Sequence, residues 1–117
     1  MRISYPVKLA TALAAAFASA SAFATLPTFS IVSPKAGTTV ASPVTLRVQV
    51  RGAEIGYPMQ GLDHLHVSVD HGPEHALYHN DPVSIRLPAG PHTIYVEIAG
   101  PTHEALEPPK SVAFVVK

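Results

Sequence analysis

Two histidines, His64 and His66, stand two residues apart inside the apolar run Leu65, Val67 and Val69. In an extended strand, alternation sends the three aliphatic side chains to one face and His64, His66, Ser68 and Asp70 to the other. The two Cα atoms are then about 6–7 Å apart, close enough for both imidazoles to reach one metal ion at about 2 Å. A specific site needs at least one more ligand. His103, in the segment before the last strand, can reach the same rim, and so can His79 from the segment after His64–Asp70. The spacing thus proposes a metal site of His64 and His66 with help from His103 or His79.

The remaining histidines are His71, His75 and His92. His71, His75 and His79 are spaced four apart and share a face if their segment is helical, but Pro73 and Pro82 limit such a helix to two turns. His92 follows Gly90-Pro91 and reads as a residue that packs or caps a turn. Asp63 and Asp70 are candidates for carboxylates that hold imidazole tautomers, or are simply strand-end residues. All-imidazole ligation suits Cu(II) or Zn(II), and a thioether from Met59 would suit Cu(I). Without cysteine or a carboxylate-rich cage, iron–sulfur and calcium chemistry fit poorly.

Catalytic patterns are weaker. His66, Ser68 and Asp70 share a face and contain the parts of a triad, but the serine lies in the middle, where the histidine must be. No G-x-S-x-G elbow, H-E-x-x-H motif or phosphate-cradling glycine loop occurs. The chain is therefore read as a binding protein and not an enzyme; a superoxide-handling copper enzyme would need an open coordination position.

The residues that position these side chains are short strands. The 117-residue chain holds 12 prolines and 7 glycines, which leave no room for a long helix. Strands are expected at Phe29–Ser33, Val44–Arg51, His64–Asp70, Val83–Leu87, His92–Ala99 and Val112–Val116. Val44, Leu46, Val48 and Val50 point inward, as do Val83, Ile85 and Leu87. Six or seven such strands form an immunoglobulin-like antiparallel β-sandwich. Two longer connections, 52–63 and 71–82, flank the histidine strand, which is where function tends to sit.

Residues 1–24 read as a signal peptide: Arg2 and Lys8, an alanine-rich apolar stretch, and Ala22-Phe23-Ala24 at the cleavage point. Residues 25–117 form the single mature domain, placed in the periplasm or secreted, with no membrane association after cleavage. No cysteine follows the apolar run, so a lipid anchor is excluded, and stability rests on packing without disulfides. Removing Arg2 and Lys8 from 8 cationic and 8 acidic residues leaves a net charge of −2 with histidine neutral. No basic cluster remains for nucleic acid.

The stretch Ile31–Val50, with its Ser33-Pro34-Lys35-Ala36-Gly37 turn and Ser42-Pro43-Val44-Thr45-Leu46 strand opening, resembles bacterial immunoglobulin-like domains. From Gly61 to Val116 the chain is similar to small exported bacterial proteins of uncharacterised, domain-of-unknown-function families. The segments that carry this are Gly61-Leu62-Asp63-His64-Leu65-His66-Val67, Leu87-Pro88-Ala89-Gly90-Pro91-His92 and Pro101-Thr102-His103. The resemblance implies that His64, His66 and His103 belong together as a set. In size and export the chain is also similar to periplasmic copper-resistance sandwiches, but it lacks their N-terminal histidine and methionine-rich run.

These readings converge on a monomeric exported sandwich that binds a transition metal, copper before zinc, for sequestration or delivery. Two alternatives stand beside it. One is a structural or partner- and glycan-binding module using Tyr57 and Tyr78 in the long connections. The other is a pH sensor built on clustered imidazoles.

Overall fold

The computed structural model describes residues 26–117; the expected signal peptide and its cleavage point lie outside the described residues. Eight strands follow one another: β1 (Thr28–Ser33), β2 (Thr39–Val40), β3 (Val44–Arg51), β4 (His64–Val69), β5 (His75–Leu77), β6 (Val83–Ile85), β7 (Gly90–Ala99) and β8 (Lys110–Val116), with a short 3₁₀ turn at Pro58–Gln60. They form two sheets, β1-β3-β6 and β2-β8-β7-β4-β5, in which every pairing is antiparallel except that of β2 with β8. The fold is an all-β, immunoglobulin-like sandwich.

Alternation builds the core. Val44 and Leu46 of β3 and Phe29 of β1 face Leu65 and Val67 of β4, Ile94, Val96 and Ile98 of β7, and Val112, Phe114 and Val116 of β8. Leu46, Leu65, Ile94, Val96 and Ile98 are essentially removed from water, each contributing about 1.5–3 kcal/mol by burial. The strands expected from sequence all form. Gly90 and Pro91 join β7 instead of the turn before it, since a proline without an N–H is tolerated at the start of a strand.

The 71–82 connection differs from its helical reading. His75–Leu77 is extended and adds to the edge of the large sheet, with Leu77 opposite Leu65, Ala76 opposite His66 and His75 opposite Val67. Pairing with an available sheet edge and packing Leu77 on the core outweigh four-residue spacing as a helix signal. His71, His75 and His79 therefore share no helical face.

The turn after β4 is fastened by His92. Asp70 and His71 take left-handed backbone conformations, with φ of 52° and 60°, which aspartate tolerates better than most residues. Thr93 N donates to Asp70 Oδ1 at 2.7 Å, His92 Nδ1 donates to Asp70 Oδ2 at 2.6 Å, and His92 Nε2 donates to the Pro88 carbonyl at 2.7 Å. Two oxygen acceptors require both ring nitrogens to carry hydrogen, so this geometry holds an imidazolium. The Asp70 hydrogen bond raises the His92 pKa above 6.5, and the same bond lowers that of Asp70 below 3.8.

The His92 contribution to stability is complete below 6.5 and is lost as pH rises through its raised folded value. The Asp70 contribution is present above 3.8 and is lost as pH falls through its lowered value. Urea unfolding of Asp70→Asn beside the parent is expected to give its largest loss of stability between those ordinary values. The loss should shrink, without vanishing, in alkaline solution, because Thr93 N donates to a carboxylate in the parent and to a weaker, neutral amide oxygen in the variant.

Candidate metal centre

His64 opens β4 and lies opposite Ala99 of β7; His66 lies opposite Glu97 of β7 and Ala76 of β5. Both rings stand on the face of the large sheet that turns away from the core, as alternation requires. A residue on that face is ordinarily half wet, yet His64 has no exposure at all. The two long connections account for this. Tyr78 from the second lies tilted over the His64 ring with centroids 5.5 Å apart, and Tyr57 from the first stacks on Tyr78 at 4.8 Å.

His103 arrives from the segment after β7. Ala99 and Ala105 form a bridge that brings the chain back on itself beside His64. Inside this loop His103 N donates to the Gly100 carbonyl at 2.8 Å and Gly100 N to the Glu104 carbonyl at 2.9 Å. Thr102 N and Oγ1 both donate to Glu104 Oε1, at 3.1 and 2.6 Å. These bonds hold His103 at φ 68°, a left-handed conformation that is uncommon outside glycine and frequent at functional positions.

The result is a convergence of three ring nitrogens. His64 Nε2 is 2.9 Å from His66 Nε2 and 3.2 Å from His103 Nδ1, and all three lie within 4.8 Å of one another. Bonds of about 2.0–2.1 Å to one metal place neighbouring donors about 2.9 Å apart at a right angle and about 3.3 Å apart at a tetrahedral one. Hydrogen bonding alone serves the cluster badly. His66 Nδ1 faces the carboxylates of Glu74 at 3.3 Å and Glu97 at 3.6 Å, which places its proton on Nδ1 and a lone pair on Nε2. A single hydrogen between His64 and its two neighbours cannot point at both; one cation accepts all three lone pairs.

The electrostatics agree. Burial first, and then the neighbouring His66 and His103, lower the His64 pKa below 6.5, so its ring is held neutral with a lone pair to give. Burial and the nearby Glu104 raise the Asp63 pKa, whereas the Thr102 hydrogen bonds lower that of Glu104. His64 Nδ1 is buried and has no hydrogen-bond partner among the described residues.

Of the four histidines expected to ligate, the structure brings His64, His66 and His103 together and leaves His79 apart. His79 Nδ1 faces Asp81 at 3.6 Å from a side chain that is 62% exposed. β5 ends at Leu77, and the chain beyond it carries His79 out beside Asp81. His71 Nε2 pairs with the Tyr95 hydroxyl at 2.9 Å, and Met59 is 92% exposed at the loop tip. The carboxylates that face His66 are Glu74 and Glu97, not Asp63 or Asp70. Glu97 follows directly from the β4–β7 register, but no local sequence signal announces that register.

Gly100 gives a test of the His103 loop. A Cβ there would meet the Glu104 carboxylate at 2.6–2.7 Å, and that carboxylate is what braces the turn. If the cluster takes up copper(II), Gly100→Ala should weaken that binding by about tenfold, the low end for losing a group that orients a ligand, while the chain folds as before. Competition titration against a chelator of known affinity reads this directly.

No family model matches the chain, and no curated protein does. Solved structures do match. The fibronectin(III)-like modules of Clostridium thermocellum CbhA superpose with a TM-score of 0.58 at 17% identity, over 77% of this chain and 97% of theirs. The endo-beta-1,4-mannanase of Thermotoga petrophila gives 0.55 at 18% identity, over all of this chain and 26% of the enzyme. An engineered protein gives 0.53 at 19% identity, over 78% of this chain and 20% of its own. Fold and likeness agree on the architecture, an immunoglobulin-like β-sandwich. Among the described residues no helix is long and apolar enough to cross a membrane.

Proposed function

We propose that this chain is an exported, monomeric metal-binding sandwich that holds one copper ion through His64, His66 and His103. The observation that carries the reading is the meeting of three imidazole nitrogens around one point, on a framework of a strand and a hydrogen-bonded loop. Three neutral nitrogen donors without thiolate favour copper(II) over zinc(II) on the general order of divalent affinities. A position left open by three ligands can take water or a group from a partner. The role is sequestration or delivery, and the leader-like residues 1–24 place it in the periplasm or outside the cell.

The purified protein is expected to take up Cu(II) with nitrogen hyperfine structure in its EPR spectrum. Replacing both His64 and His66 by alanine should abolish that uptake. Equal uptake by the double variant removes the site from consideration. A second reading, a partner- or glycan-binding module, rests on Tyr57, which is 54% exposed and stacked on Tyr78. Metal-independent capture of a partner that is lost in Tyr57→Ala would favour it.

A further inference from the structure

His66 has two ring nitrogens, and the three-histidine centre uses one of them. We infer that the other, Nδ1, is a ligand to a second divalent cation held by Glu74 and Glu97, so that His66 bridges two metal ions. The inference rests on the three-histidine reading, since the bridge needs the first ion on Nε2.

The geometry around Nδ1 favours this over an ordinary supporting hydrogen bond. A ligating histidine needs only one acceptor for its distal N–H. Here two carboxylates converge on that one nitrogen, Glu97 from β7 and Glu74 from the connection just before β5: Glu97 Oε1 at 3.6 Å and Glu74 Oε1 at 3.3 Å. Both separations exceed the about 2.7–2.9 Å of a charge-assisted hydrogen bond. They fall at the tetrahedral end of the about 2.8–3.6 Å between neighbouring donors that share a cation at about 2.0–2.2 Å. One N–H can satisfy one carboxylate; two facing anions repel until a cation lies between them.

The surroundings suit such an ion. His66, Glu74 and Glu97 offer three ligand atoms within 4.8 Å of one another. They border an open cleft of about 300 Å³ whose wall also carries Ser68, His71 and Tyr95, further oxygen and nitrogen donors. A mixed nitrogen and carboxylate set suits zinc(II) or copper(II). When the second ion binds, the Nδ1–H bond breaks, its proton passes to solvent, and a metal–nitrogen bond replaces it. The ring becomes an imidazolate joined to metal at both nitrogens, and no electron is transferred.

Cu(II) alone is a sufficient probe, because two copper(II) ions joined by an imidazolate couple magnetically. Titrating the full chain with Cu(II) is expected to give a first equivalent with full EPR intensity. A second equivalent should release a proton and lower the intensity per copper. In the Glu74→Gln/Glu97→Gln variant, which preserves side-chain shape, the first equivalent should remain, weakened, and the second should be lost with its coupling. Uptake that stops at one equivalent overturns the bridge and leaves the three-histidine centre standing. So does a second equivalent that is magnetically independent, as copper on exposed His75 or His79 would be, or a coupled one that survives in the variant. Absence of the first equivalent removes both proposals together.

Discussion

Alanine at His64 is expected to lower copper affinity by more than the about 100-fold that marks the upper range for losing a ligand's supporting group. His64 Nε2 is the nitrogen in close contact with both other rings, so its loss separates the donors instead of merely thinning them. His66→Ala should come next, because it removes both a ligand and the link to Glu74 and Glu97. His103→Ala should cost least of the three. It deletes a donor carried on an exposed loop and leaves the strand pair intact. His79→Ala is the control; a side chain paired with Asp81 should leave affinity unchanged. Isothermal titration of the four single variants checks the order. Equal effects at His79 and His64 would mean that copper binds to the histidine-rich surface at large.

Copper should also raise the thermal midpoint of the folded chain by about 10–20 °C at a free concentration a hundredfold above its dissociation constant. The estimate follows from the about 2.7 kcal/mol that such a ligand excess supplies and the about 4–8 °C per kcal/mol typical of a small domain. The increment has a definite pH sense. Protons compete with the metal for the same lone pairs, so it shrinks on acidification. The metal-free protein moves the same way: the pKa of buried His64 lies below 6.5 in the folded state, so the stability linked to its neutral ring is present above 6.5 and is lost as pH falls through the lowered value. Differential scanning fluorimetry with and without Cu(II) across this range tests both. A copper-independent midpoint would contradict specific binding to the native state.

Much of the frame could be read from residue types. Alternation in Val44–Arg51 and around His64–Val69 gave one interior strand of each sheet and the face on which His64 and His66 stand. His103 could be placed at the same rim from its position in the loop before the last strand. What escaped was set by contacts distant in sequence. The His64 ring is covered by His66, His103 and Tyr78, and Tyr57 stacks on Tyr78 across two connections with no mutual pattern. The short β5 is stabilised by an existing sheet edge, so the face that His71, His75 and His79 would share in a helical segment does not form, and His79 stands apart from the other three rings. Glu97 looks like an ordinary surface carboxylate until register puts it opposite His66, and Glu74 until the connection before β5 brings it to the same ring. His92, by contrast, does what its place after a turn suggests: it bonds to Pro88 of that turn, and it also ties the turn to Asp70 after β4.

The most direct test is pulsed EPR of the chain loaded with a single equivalent of Cu(II), with histidine labelled by nitrogen-15. Three coupled imidazole nitrogens are expected, falling to two in His103→Ala. A spectrum that stays the same when His64, His66 and His103 are each replaced by alanine would contradict the centre.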